Sequence, residues 1–171
     1  MAWTWSPRLK RRSLRARSKR LALATLSPHS PPQAAEGGHN PSPVLRVVDS
    51  ITQLGPQDAG CLAVSGSHGG ISSAQYALAA RPLLSVFNDA GVGLDQAGLA
   101  ALPFLQSHGL AACTVAHTSA RIGEAASTLA DGVVSHVNAR AAALGIQAGQ
   151  RCCDLIAALQ PIPPATVNMS S

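Results

Sequence analysis

Apolar and polar positions alternate in blocks along the middle of this chain. Cys61-Leu62-Ala63-Val64 is followed by Ser65-Gly66-Ser67-His68-Gly69-Gly70. Leu83-Leu84-Ser85-Val86-Phe87 runs into Asn88-Asp89-Ala90-Gly91-Val92-Gly93, and Leu110-Ala111-Ala112-Cys113-Thr114-Val115-Ala116 into His117-Thr118-Ser119-Ala120-Arg121. Short continuous apolar runs suit strands buried on both faces, as in parallel sheets with crossover helices. The pattern predicts a three-layer α/β domain, Rossmann-like or flavodoxin-like, with about four mostly parallel strands. The runs near 61–65, 83–87 and 110–116 are expected to be neighbours.

Around these runs the elements are shorter. Val44 to Val48 reads as a further strand; its link to the next is too short for a full crossover helix, so it is expected to pair antiparallel at an edge or to be followed by one helical turn. Ser72 is the expected cap of a helix over 73–80, ended by Arg81-Pro82. Asp95 is the expected cap of a second helix, with Pro103 inside it and His108-Gly109 closing it. A third helix is expected from Gly123-Glu124 through Leu144, although Val133-Val134 after Gly132 also fits a strand. Gln150 to Leu159 reads as a terminal helix.

Composition separates a tail from this body. Eight of the 13 Lys and Arg residues stand in the first 20 positions; beyond them lie five Arg, no Lys and eight acidic residues, a net of 5 − 8 = −3. Residues 1–43 are basic, then Pro-, Gly- and Ser-rich, a composition expected to be disordered. They fit an export or transit signal, a basic arm, or a dispensable extension. The expected organisation is a tail over 1–43, one α/β domain over 44–160 and a loose end over 161–171. The acidic body and 3% aromatic content argue against nucleic-acid binding. No apolar run approaches a membrane span. Cys61, Cys113, Cys152 and Cys153 lack Cys-x-x-Cys spacing and read as reduced thiols of a cytoplasmic protein. A Lys-free body built from small side chains suggests a homo-oligomer.

The candidate chemistry lies in the three polar loops, because ligands of such sheets bind beyond the carboxyl ends of the strands. The turn Ser65-Gly66-Ser67-His68-Gly69-Gly70 is expected to form a cradle of N–H groups for an anion or oxyanion, its glycines supplying positive φ. It is neither a Walker loop nor a dinucleotide fingerprint. His68 and Asp89 are the candidate acid–base pair. Ser67 also fits a loosened nucleophile elbow. His117 and Ser119 are expected to touch substrate, and the Arg121 fork suits carboxylate or phosphate. His68, Asp89 and His117 are metal-ligand types without ligand spacing, so neither metal nor cofactor is expected.

The order strand, Ser67-His68-Gly69, helix, strand and small-residue loop is similar to the pattern of caspase-like cysteine peptidases. In that family a His ends one strand and the nucleophilic Cys ends the next. The resemblance implies a role for His68; the second position reads Asn88-Asp89-Ala90-Gly91, without a Cys, so it implies no peptidase nucleophile. The expectation is a small enzyme, a hydrolase or lyase, acting on an anionic metabolite. A non-catalytic nucleotide or phosphometabolite binder and an oligomeric structural protein are the alternatives.

Overall fold

The computed structural model describes residues 42–160; residues 1–41 and 161–171, which hold almost all of the expected basic tail and the loose end, lie outside the described residues. Five strands form one sheet: β1 (Leu45–Val48), β2 (Leu62–His68), β3 (Leu84–Asn88), β4 (Ala111–Val115) and β5 (Val134–Val137). The helices are α1 (Ile71–Ala80), α2 (Ala101–Ser107), α3 (Ala125–Asp131), α4 (Ala139–Ala143) and α5 (Cys152–Leu159).

The strand order is β1-β2-β3-β4-β5. The first four strands are parallel and β5 is antiparallel to β4. This order never reverses, so the sheet has no switch-point crevice of the kind that seats ligands in Rossmann and flavodoxin sheets. Right-handed crossovers between successive parallel neighbours put the β1–β2, β2–β3 and β3–β4 connections on one face. That face is covered by α1, α2 and the 3₁₀ turn at Ile51–Gln53, whose Ile51, Ala74, Ala77, Ala101, Leu102 and Leu105 pack on Ala63, Phe87 and Ala112. The opposite face would be bare without the chain that follows β4. There Ala120, Ala141, Cys152, Leu155 and Ile156 cover Leu62, Val64, Leu84, Val86, Cys113 and Val115. Consecutive strand residues thus feed the two cores alternately, as the period of the strand requires.

The expected α/β fold with a mostly parallel sheet is present, with five strands. Several local expectations are corrected. Of the two alternatives for β1, the link with helical turns is the one observed: β1 pairs parallel with β2, and residues 49–61 make the crossover with two short 3₁₀ turns, Ile51–Gln53 and Pro56–Asp58, in place of a helix. The stretch expected to be helical through Leu144 is split into α3, β5 and α4. The first break falls at Gly132, which leaves the helix with ψ 130° and where a Cβ would run into the carbonyl oxygen of Thr128. Gly70, not Ser72, occupies the N-cap of α1. Asp95 caps nothing; it lies with Gln96 in left-handed backbone, and α2 starts after Ala100. Pro103 is third in α2, where its missing N–H leaves no helical bond unmade.

All four cysteines are free thiols, and Cys61, Cys113 and Cys152 are buried. Burial, helped by the neighbouring Cys153, pushes the Cys152 thiol up to about 12. Among the described residues no helix is long and apolar enough to cross a membrane.

Candidate functional site

The loops leaving β2, β3 and β4 emerge at the same carboxyl edge, since the three strands are adjacent and parallel. At the end of β3, Asn88 is fully buried. Its Nδ2 donates to the Ala120 carbonyl at 3.0 Å, and its Oδ1 accepts the Ala90 N–H at 2.8 Å. Asn88 therefore ties the loop after β3 to the loop after β4.

Asp89 is 4% exposed. Its Oδ1 accepts the N–H of Gly91 at 3.0 Å, the N–H of His117 at 2.9 Å and the imidazole Nδ1–H of His117 at 3.0 Å. Burial alone would raise the Asp89 pKa. The His117 and Gly91 N–H groups, the Ser135 hydroxyl and the His117 ring outweigh it and hold the carboxyl below the usual Asp range. An ionised carboxylate only accepts, so the proton of neutral His117 sits on Nδ1 and Nε2 carries the lone pair. The His117 side chain is 53% exposed, and Nε2 bonds to no described residue. The ring lies over Gly91, with Nδ1, Cε1 and Nε2 all close to where a Cβ would stand.

A cleft of about 570 Å³ opens beside this pair, lined by Asn88, Ala90, His117, Ser119, Arg121, Ile122, Ser127 and Asp131. Ser119 Oγ donates to the Ala116 carbonyl at 2.8 Å and accepts the Val133 N–H at 2.9 Å, joining the loop to the start of β5. The Arg121 N–H is held by Ser127 Oγ at 3.1 Å, and Ser127 donates to Asp131 at 3.3 Å. The Arg121 guanidinium stands 3.7 Å from Glu124 and is 79% exposed. A pair so exposed contributes little to stability, so the guanidinium remains available to an anion.

The glycine-rich turn after β2 is built differently from expectation. Positive φ is absent at Gly66, Gly69 and Gly70. The first two permit close approach instead: a Cβ on Gly66 would meet the Gly123-Glu124 backbone and the Asp49 carbonyl, and one on Gly69 would meet the Gly98 carbonyl. The Gly69 N–H donates to the Asn88 carbonyl at 2.8 Å and the Gly70 N–H to His68 Nδ1 at 3.0 Å. Neutral His68 therefore presents an Nε2–H donor. Ser65 Oγ donates to the Val86 carbonyl at 3.0 Å, and Ser67 Oγ accepts the Ile51 N–H at 3.0 Å. His68 pairs in register with Asn88, one strand from the cleft.

The structure thus joins Asp89 to His117 and brings His117, Ser119 and Arg121 to one cleft. Ser65, Gly66, Ser67, His68, Gly69 and Gly70 sit at the same sheet edge but do not line it. Sequence reasoning missed Asn88, Ser127, Asp131 and Ser135. It also missed Asp49, whose carboxylate accepts the first amide of α3, Ala125 N–H, at 2.8 Å; an Asp at a strand end was its only signal. Among the described residues no group of three or more His, Cys, Asp or Glu could hold a metal ion.

Left-handed backbone crowds the loop after Asp89. Ala90, Val92, Asp95 and Gln96 have φ of 49°, 67°, 52° and 59°, and Gly91 and Gly93 lie between them at 71°. For the β-branched Val92 this is a true outlier. Such strain persists only where its surroundings enforce it, and it clusters at functional sites. Here the Asn88 and Asp89 side chains hold the loop through the Ala90 and Gly91 amides. Val92→Gly is expected to stabilise the fold by about 0.5–1 kcal/mol, the relief of strain less the added freedom of the unfolded chain. A urea midpoint at or below that of the parent would show that the Val92 side chain offsets its own strain.

No protein-family model, curated protein or solved structure matches this chain.

Proposed function

We propose that this chain is a small α/β enzyme acting on an anionic metabolite, a carboxylate or a phosphate, in the cleft beside His117. The observation that carries the reading is the Asp89–His117 pair: a buried, ionised carboxylate fixes the tautomer of a half-exposed imidazole at the mouth of a cleft. Nε2 takes a proton from the substrate, and Asp89 stabilises the imidazolium that results. Arg121 holds the anionic group through its fork, and Ile122, Ala90 and Ala120 provide an apolar wall. The proton-transfer role falls to His117 rather than His68, whose Nδ1 is spent on Gly70.

A non-catalytic binding module is the second reading. It is favoured by the Ser67 and Ser119 hydroxyls, which are committed to backbone partners and offer no free nucleophile.

A thermal-shift screen of small carboxylates and phosphates tests both readings. A ligand of the folded state raises stability by RT ln(1 + [L]/Kd). The expected result is a stabilising anion whose affinity falls about tenfold in Arg121→Lys, since an ammonium cannot reproduce the bidentate contact. Failure of every anion to stabilise the protein, or equal binding by the variant, would overturn the assignment.

A further inference from the structure

A separate groove lies at the other end of the sheet, where β2, β3 and β4 begin. It has a volume of about 460 Å³ and is lined by Gly60, Arg81, Leu83, Leu110, Arg140 and Leu144, among others. We propose that it binds a small amphipathic organic anion, a carboxylate carrying an aliphatic or aromatic body.

The charge pattern supports this first. The described residues contain five arginines and no lysine. Arg46 pairs with Asp58 at 3.0 Å and Arg151 donates to the Ala130 carbonyl at 3.0 Å, while Arg121 belongs to the His117 cleft and has only the exposed Glu124 at 3.7 Å. The guanidiniums of Arg81 and Arg140 have neither an ion pair nor a hydrogen bond to any described residue, and both residues line this groove. No carboxylate lines it. In a body with more acidic than basic groups, two unmatched arginines lining one cavity are a recognition feature for an anion.

Backbone and apolar surface point the same way. Arg81 closes α1 in the left-handed conformation, φ 52°, at a position where glycine would carry no steric penalty. Arg81 takes that conformation at a steric cost that glycine would not carry, and it lines the groove. Leu83 and Leu144 are 41% and 36% exposed and form apolar wall in the same cavity. Its volume falls in the range of small-molecule sites. An inorganic anion would leave those leucines in water; a neutral hydrocarbon would leave both guanidiniums unmatched. A carboxylate on a short apolar body satisfies both.

The inference does not depend on the reading of the His117 cleft, and the test separates the two. Octanoate is titrated into the full chain and followed by amide NMR shifts, with octanol as the uncharged control. Saturable shifts are expected at Leu83, Leu110 and Leu144. Arg81→Gln combined with Arg140→Gln should weaken octanoate binding, read at Leu83, Leu110 and Leu144, by about tenfold or more. Both arginines are exposed, so the double variant should fold; circular dichroism checks this, and each single variant is measured beside it. Shifts confined to Ala90, His117 and Ile122 would overturn the proposal. So would octanol binding as tightly as octanoate, undiminished binding by the double variant, or no saturable shift at about 10 mM octanoate.

Discussion

Replacing Asp89 with alanine is expected to remove about 3–5 kcal/mol of folding stability, the cost of breaking a buried charged contact by deleting one partner. The residue is 4% exposed, and one carboxylate oxygen collects the Gly91 amide, the His117 amide and the His117 ring. Alanine leaves those donors without an acceptor beneath a loop held in left-handed backbone. Chemical denaturation measures the loss; a change under 1 kcal/mol would mean that water replaces the carboxylate at little cost. The pH dependence is a second signature. The folded carboxyl sits below the ordinary Asp range, so in the window between the two pKa values the unfolded chain binds more protons and stability rises with pH. The parent should therefore keep the Asp89 contribution above about pH 4 and lose it as the pH falls through the depressed folded value. Asp89→Ala should lack that acid limb. His117→Ala keeps the carboxylate and removes the imidazole. Under the proposed function it should lower turnover by about 10²–10⁴ with affinity little changed; loss of affinity equal to that of Arg121→Lys would favour the binding module.

The three central strands were readable from sequence because burial on both faces leaves mostly apolar runs at Cys61–Val64, Leu83–Phe87 and Leu110–Ala116, interrupted only by Ser85 and Thr114. β5 was not. Val134-Ser135-His136-Val137 is only half-buried, follows an alanine-rich helix and precedes another, so its composition did not distinguish strand from helix. The direction of β1 was hidden by a crossover that uses two 3₁₀ turns where parallel pairs ordinarily use a helix. Asp89, His117 and Arg121 were each legible as polar residues at strand ends. That Asp89 is coupled to His117 rather than to His68 depends on local backbone. The Asp89 N–H continues the β3–β4 ladder to Val115 at 2.9 Å, which sets its carboxylate under the residue two places further on. His68 instead turns back onto its own loop at Gly70. The glycines after β2 were legible as necessary but not for their reason. Whether a glycine serves a left-handed turn or a close contact is decided by what packs against it, and the partners of Gly66 and Gly69 are distant in sequence (Asp49, Gly123 and Glu124 for Gly66, Gly98 for Gly69).

Gly98 is where such a contact bears on the site most directly, and Gly98→Ala should destabilise the protein by about 3 kcal/mol or more, at the upper end of overpacking costs. A Cβ on Gly98 would run into the Asp89 carbonyl oxygen, with the Asp89 carbonyl carbon and the Val92 carbonyl oxygen about 3 Å away. All of these are backbone atoms, so no side-chain rotation relieves the clash. On its other side the Gly98 carbonyl lies against Gly69, which prevents the segment from backing away. The strand end carrying Asp89 must then move, and with it the 3.0 Å contact to His117 Nδ1. Gly60→Ala is the matched control: its Cβ meets nothing within 4 Å, and only its φ of 79° is unfavourable, so it should cost about 1–2 kcal/mol. Urea denaturation ranks the two. If Gly98→Ala is no worse than Gly60→Ala, the segment from Leu94 to Leu99 yields independently of the Asp89 backbone. If it is much worse and the His117 ring also loses its Asp89 partner, as Nδ1–H exchange would report, then the packing of Gly98 on the end of β3 sets the position of the imidazole in the cleft.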